Sequence, residues 1–141
     1  MLSARKPIFL IGLFSFLGGH LAFGAAFLMR GVDWTWTVAS LGALGLFALL
    51  LDRALAPRVD ANFKFPVRIY IAVITLMASL AFGSWGAGHH WCVPLGAIAF
   101  LLSDVTVALD RFVEARFVNR LVGLPLYYGA QALLAWSVAQ P

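Results

Sequence analysis

Residues 96–112 read GAIAFLLSDVTVALDRF, a run of helical length whose only charge before Asp110 is Asp104. A helix with one face in water shows polar residues recurring at i, i+3, i+4 and i+7, because side chains return to the same face every 3.6 residues. No such stripe is present here. A segment apolar on every face belongs in a protein core or in lipid. The first positions where charge sits comfortably are Asp110 and Arg111. The stretch therefore reads as a buried or membrane-spanning helix with one carboxyl inside it, and the rest of the chain decides which.

Of 141 residues, 62% are hydrophobic and 11% charged, against roughly a quarter charged in an ordinary globular domain. Lipid is the solvent that composition fits. Five apolar segments, at about 7–29, 34–51, 67–87, 91–109 and 121–138, each approach the ~20 residues that a helix needs to cross a hydrocarbon core. The expected fold is all-α, a polytopic transmembrane bundle of about five spanning helices in a single transmembrane domain over residues 1–141. The connections RGVD and GHH are so short that the helices they join are expected as antiparallel neighbours. DRALAPRVDANFKFP and DRFVEARFVNR are polar and basic, with Pro57 and Pro66 as punctuation, and read as surface loops. The opening MLSARKPIFLIGLFSFLGGHLAFGAA has the layout of a signal peptide. Its apolar run is too long for one and His20 interrupts it, so it is taken as the first span.

The ten Lys and Arg give the orientation. Arg5 and Lys6 precede the first span; Arg53, Arg58, Lys64 and Arg68 surround the second connection; Arg111, Arg116 and Arg120 follow the fourth span. With five spans all of these share one side, and only Arg30 lies opposite. Because Lys and Arg accumulate in cytoplasmic loops, the N-terminus is expected inside and the C-terminus outside. The net charge of +4 then reflects topology. There is no aromatic-interleaved basic stripe, which excludes nucleic acid as a partner. Cys92 is the only cysteine, so no intrachain disulfide can form. His89, His90 and Cys92 in GHHWC match the spacing of no closed metal site, and neither a metal nor a cofactor is expected. Trp34, Trp36 and Trp91, with Trp85 and Trp136, read as interfacial belt residues.

Within the spans the ionisable candidates are few. A carboxylate in hydrocarbon costs at least ~2.5–3.5 kcal/mol, so Asp104 is expected to face the bundle interior or a wet cavity. It lies ~9 Å inside the Asp110/Arg111 boundary. The small residues Gly96 and Ala97 two turns back, and Ala108 one turn on, let another helix or a ligand approach. The fifth span, LVGLPLYYGAQALLAW, carries Tyr127, Tyr128 and Gln131 at spacings of three and four, which gather them on one side of the helix at nearly the depth of Asp104. A hydrogen bond from this group to the Asp104 carboxyl is expected. His20, in FLGGHLAFG, counts to ~21 Å from Lys6, nearer the opposite leaflet, so direct contact with Asp104 is not expected. Ser103 is expected to return its hydroxyl to a carbonyl of the preceding turn. A plainer reading stands beside each of these: Asp104 as interhelical hydrogen-bond glue, His20 as a packed polar residue, and the tyrosines as belt.

GAIAFLLSDVTVALDRF followed by LPLYYGAQALLAWS resembles the C-terminal signature of the YhhN-like integral membrane proteins, the lysoplasmalogenase family, which carry a Ser-Asp pair in a late helix and Tyr-Tyr-x-x-Gln in the last. FLIGLFSFLGGHLAFGAAF is similar to the family's middle helix with its His. The resemblance is strongest over residues 96–137 and weak over 30–90. Family members have about eight spanning helices, with a Gly-Asp pair ending an earlier one. Against that pattern the chain reads as a member lacking roughly its first three helices.

The resemblance implies hydrolysis of the vinyl ether of a lysoplasmalogen to a fatty aldehyde and glycerophospho-ethanolamine or -choline. Such an ether is cleaved by protonation of its alkene carbon and capture of the oxocarbenium ion by water. The step needs an acid that keeps its proton near neutral pH, and apolar surroundings favour the uncharged form of a carboxyl. A second carboxylate, as in glycosidases, would help. On this reading Asp104 is the catalytic residue, His20, Tyr127, Tyr128 and Gln131 bind or orient the substrate, and Arg111, Arg116 or Arg120 holds its phosphate. The expected partner is a membrane lysophospholipid, with further copies of the chain if it forms a homo-oligomer. The expected location is the membrane, the inner one if the chain is bacterial. The alternative is a non-catalytic lipid-binding or helix-packing protein retaining only the C-terminal part of the family. A third reading, a small proton-coupled transporter, lacks the even internal repeat such proteins carry. A reporter fused after Pro141 is expected to behave as non-cytoplasmic in a topology assay; a cytoplasmic signal would rule out five spans with the N-terminus inside.

Overall fold

Each apolar run becomes one helix in the computed structural model, which describes residues 5–140. The helices are α1 (Arg5–Arg30), α2 (Trp34–Leu55), α3 (Ala61–Gly86), α4 (Cys92–Phe112) and α5 (Phe117–Val138), with no strand among the described residues. All five are long and apolar enough to cross a membrane. The protein is an integral, multi-pass helical membrane protein.

Three helices run further than their apolar cores suggest. α2 continues through Asp52 and Arg53 to Leu55, since Leu55 is buried and Asp52 accepts a bond from Arg68 Nε of α3 at 3.1 Å. α3 starts at Ala61, behind Asp60, with Pro66 inside it. The ring of Pro66 removes one N–H and frees the carbonyl of Asn62, which lies in the exposed first turn where water can satisfy it. α5 starts at Phe117, four residues before its apolar run. The two polar stretches expected as loops are thus mostly helix ends, and the true connections are residues 56–60 and 113–116.

α3 is the hub: it packs against α1, α2 and α4, and α4 packs in turn along α5. The expected pairing of α1 with α2 does not form. Both lean on α3 instead, although only residues 31–33 join them. Small residues explain why. A side chain at Gly83 or Gly86 of α3 would collide with Thr37 or Trp36 of α2, so these glycines let α2 sit close to α3. The turn is locked to the same place. Asp33 caps α2 through Trp36 N at 3.0 Å, its own N–H donates to Gly83 O at 2.8 Å, and Gly31 takes the positive φ of 98° that the reversal requires. Gly96 and Gly123 do the same for α4 against α5, facing Leu134 and Thr106.

The two ends of the bundle differ chemically. All five tryptophans lie at the end where α1 finishes and α2 begins, while every Lys and Arg except Arg30 lies at or near the other. The core is divided along the same axis. Toward the tryptophan end, Phe27, Met77, Ala81, Val93, Ala97 and Leu134 belong to one buried cluster; toward the basic end, Leu55, Val59, Phe63 and Val67 form a second. His20 and Tyr70 lie between them along α1 and α3, as Asp104 does along α4. Exposed Ile8, Ile11, Leu46 and Leu50 face outward as a lipid-contacting surface should. Gly83→Val is expected to push α2 off α3 and cost ~1–3 kcal/mol, read as a lower thermal unfolding midpoint in detergent; an unchanged midpoint would show that the close approach carries no stability.

Candidate active site

The backbones of α1 and α4 do not approach closely, and large side chains fill the space between them. Phe23 and Phe100 meet with centroids 6.3 Å apart, and Phe9 and Phe112 meet edge-on at 5.8 Å. Between these aromatic contacts lies His20, 1% exposed. Its ring stands edge-on to Phe100 at 4.7 Å and to Tyr70 at 5.4 Å, which fixes its plane. Nε2 is 3.0 Å from Asp104 Oδ2 and 3.0 Å from Tyr70 Oη. Three helices therefore converge on one nitrogen.

Proton bookkeeping allows two arrangements. With the proton on Nε2, that N–H is shared between the Asp104 carboxylate and the Tyr70 oxygen. With the proton on Nδ1, Nε2 accepts from the Tyr70 hydroxyl or from a protonated Asp104. When Asp104 is protonated, its proton can pass to Nε2 without crossing hydrocarbon, giving a carboxylate beside an imidazolium. Asp104 is 11% exposed and so remains open to a ligand.

Asp104 stands in the wall between two openings. One is an apolar groove of about 270 Å³ formed by α1 to α4, with Phe9, Gly12, Phe47, Ala48 and Ile71 among its walls and Tyr70 and Asp104 in its lining. The other, also about 270 Å³, lies between α4 and α5 with a side contributed by α1, and it is lined by Thr106, Asp110, Asn119, Arg120 and Tyr128. Phe16, Val107 and Asp104 belong to both. The three candidate arginines separate cleanly. Arg111 lines the groove, its guanidinium 4.6 Å over the Phe9 ring. Arg120 lines the second cleft and donates from Nε to Asp110 Oδ2 at 3.4 Å. Arg116 pairs with Glu114 at the surface and lines neither.

Two sequence expectations are corrected. His20 was placed too far from Asp104 because its depth was counted from Lys6. The ring of Phe9, edge-on to both Phe63 and Phe112, shows that α1 overhangs at the basic end. Counted from that level, His20 lies ~16 Å in and Asp104 ~12 Å, a gap the two side chains close. The second correction concerns the hydroxyl. None of Tyr127, Tyr128 and Gln131 hydrogen-bonds Asp104. Tyr127 packs edge-on against Phe100 at 5.5 Å, one ring removed from His20; Tyr128 is 66% exposed at the second cleft; Gln131 is half-buried and lines neither opening. The hydroxyl in the cluster comes from Tyr70 instead, and it meets His20 Nε2, not the carboxyl. A depth count would have found it, since it lies ~14 Å from the start of α3, level with Asp104. Ser103 behaves as expected, donating to Phe100 O at 2.8 Å. In the far turn, His89 donates to Arg30 O at 3.0 Å and His90 Nδ1 accepts from Cys92 N at 3.3 Å, so both histidines brace the chain there.

Residues 1–138 match the model of the YhhN family. The chain is 30% identical over 138 residues to the lysoplasmalogenase TMEM86A of Bos taurus and to that of Homo sapiens, matches that take in 94% of this chain and 56% of each relative. It is 32% identical over 127 residues to the lysoplasmalogenase TMEM86B of Sus scrofa, covering 89% of this chain and 55% of the relative. The chain thus spans about half the length of the curated relatives it matches. No solved structure matches it.

His20→Leu strands a carboxyl and a phenol among apolar neighbours and is expected to cost ~1–3 kcal/mol. The double variant His20→Leu/Asp104→Leu is expected to recover part of that loss, with a coupling of ~0.5–3 kcal/mol in a double-mutant cycle of unfolding midpoints. Additive effects would mean that the two side chains do not interact.

Proposed function

This chain belongs to the YhhN family, and from that premise we propose that it is a hydrolase of the lysoplasmalogenase type, cleaving the vinyl ether of a lysoplasmalogen within the membrane. The observation that carries the reading is the Asp104–His20–Tyr70 cluster in the wall of an apolar groove. In this reading a single-chain lipid enters that groove with its head toward the basic end and its tail running on toward the bilayer centre. Asp104 and Arg111 are seven residues apart on α4, ~10 Å along its axis, a separation that suits a vinyl ether at the carboxyl and a phosphate at the guanidinium.

In the proposed reaction, a proton held by the Asp104–His20 pair is delivered to the alkene carbon remote from the ether oxygen. The double-bond electrons form the new C–H bond, and an oxygen lone pair stabilises the adjacent carbon as an oxocarbenium ion. The carboxylate left behind faces that cation. Water adds to the cationic carbon and returns its proton to the pair, which restores it. The hemiacetal then breaks its bond to the glycerol oxygen, which takes up the hydroxyl proton, and the products are a fatty aldehyde and a glycerophospho-ethanolamine or -choline. Tyr70 acts through His20 as a positioning residue, holding the ring nitrogen toward the carboxyl. His20 supplies the second proton-carrying group that two carboxyls supply in glycosidases.

Purified protein incubated with a lysoplasmenyl lipid is expected to release long-chain aldehyde, and Asp104→Asn to lower the rate by ~10²–10⁴-fold, the range of a lost general acid. Undiminished release by that variant would remove Asp104 from the chemistry. Binding of the lipid by wild-type protein with no aldehyde formed would favour the non-catalytic alternative.

A further inference from the structure

Hydrolysis consumes water, and the groove that suits the lipid is walled mostly by Phe, Leu, Ile and Val. We propose that the cleft between α4 and α5 is a separate aqueous route, admitting water from the basic end to Asp104 and letting the polar product leave the same way. The proposal takes its purpose from the hydrolase reading, while the wetness of the cleft is a property of the protein alone.

The lining supports a wet interior. Proceeding inward from the start of α5, the cleft presents Asn119, Arg120, Asp110 and Thr106 before it reaches Asp104, with Tyr128 beyond. A water inside a protein needs two to four polar partners, and this series offers them at successive depths. Thr106 donates to Ser103 O at 2.6 Å, which leaves its oxygen lone pairs available as acceptors. Asp110 carries a further sign. Its Oδ2 takes the bond from Arg120, whereas its buried Oδ1 has no donor among the described residues. A buried carboxylate oxygen in that position is the kind of group that internal water satisfies. The groove offers no comparable series. Its polar members are Tyr70, Thr75, Asp104 and Arg111; Tyr70 is engaged with His20, Thr75 donates to Ile71 O, and Arg111 lies over Phe9. Phe16 and Val107 stand between the openings, so lipid and water would reach Asp104 from different sides.

Cysteine accessibility tests this directly. Cys92 is the only native cysteine and is buried, so Cys92→Ala provides a clean background. Thr106 in the cleft and Ala48 in the groove lie at similar depth, each ~10 Å from the basic end of its helix. In lipid nanodiscs, Thr106→Cys is expected to react with a charged, membrane-impermeant methanethiosulfonate about tenfold or more faster than Ala48→Cys, because a charged reagent does not partition into apolar surroundings. Ala48→Cys should react with a lipid-soluble maleimide. Leu124→Cys, also in the cleft, serves should Thr106→Cys fail to give monodisperse protein. Equal or slower labelling of the cleft positions, in protein that still releases aldehyde, would overturn the aqueous route. Rapid labelling in protein that forms no aldehyde would uphold the route and sink the hydrolase reading instead.

Discussion

A carboxyl and an imidazole 3.0 Å apart, at the meeting of three helices, determine how this bundle closes. In lipid there is no hydrophobic force pulling one apolar helix onto another, so association depends on close packing of small residues and on polar contacts between helices. The protein uses the first device for α2 on α3 and for α5 on α4, through Gly83, Gly86, Gly96 and Gly123. For α1 against α4 it uses the second. Their backbones stay apart, and the His20–Asp104 contact, with Tyr70 completing it, bridges the space. Leaving any one of these groups unpaired in hydrocarbon costs more than the contact itself contributes, so the cluster acts mainly as a constraint on position.

The spacing that this bridge maintains is what creates room. Where Gly83, Gly86 and Gly96 let helices touch, neither opening reaches. Where aromatic rings and a polar cluster hold α1 away from α4, the groove and the cleft open on either side of Phe16, Val107 and Asp104. The division of the core into two apolar clusters belongs to the same design. Each packs well by itself, and the layer between them is where polar chemistry can be placed without interrupting either. Stability at the two ends and openness in the middle are consequences of one arrangement of side-chain sizes.

The fold was legible because lipid imposes few solutions: runs apolar on every face must be helices, and their number follows from length. Helix ends were less legible. Asp52, Arg53 and the ANFKFP stretch read as loop by polarity, yet a helix can carry charges past the hydrocarbon when they find partners, as Asp52 finds Arg68. Asp104 stood out because its cost alone singles it out. Its partners did not. His20 and Tyr70 lie 84 and 50 residues away from the groups they meet, so no local period records the contact, and depth counted from the wrong anchor hid it. Periodicity groups Tyr127, Tyr128 and Gln131 on one side of α5, but it says nothing of how α5 is rotated against α4. The Gly96 and Gly123 contacts set that rotation, and it leaves Tyr128 at the cleft and no hydroxyl of α5 on the carboxyl.

The pairing also bears on why one carboxyl can suffice for the proposed reaction. Two carboxylates side by side in an apolar bundle would repel, and holding both would require an additional proton or a cation. A carboxyl beside an imidazole has the opposite property. Whether the proton sits on Asp104 with a neutral His20, or on His20 with an ionised Asp104, the pair carries no net charge, and moving the proton between them leaves the burial of net charge unchanged. Proton donation to the alkene leaves the pair with one negative charge at the moment the substrate acquires a positive one, so the site as a whole remains neutral through the oxocarbenium stage. Neutrality matters more here than in water, since any uncompensated charge would meet hydrocarbon on most sides. A bundle with His20 set against Asp104 can therefore carry out acid–base chemistry at a depth where two acids would be costly to keep.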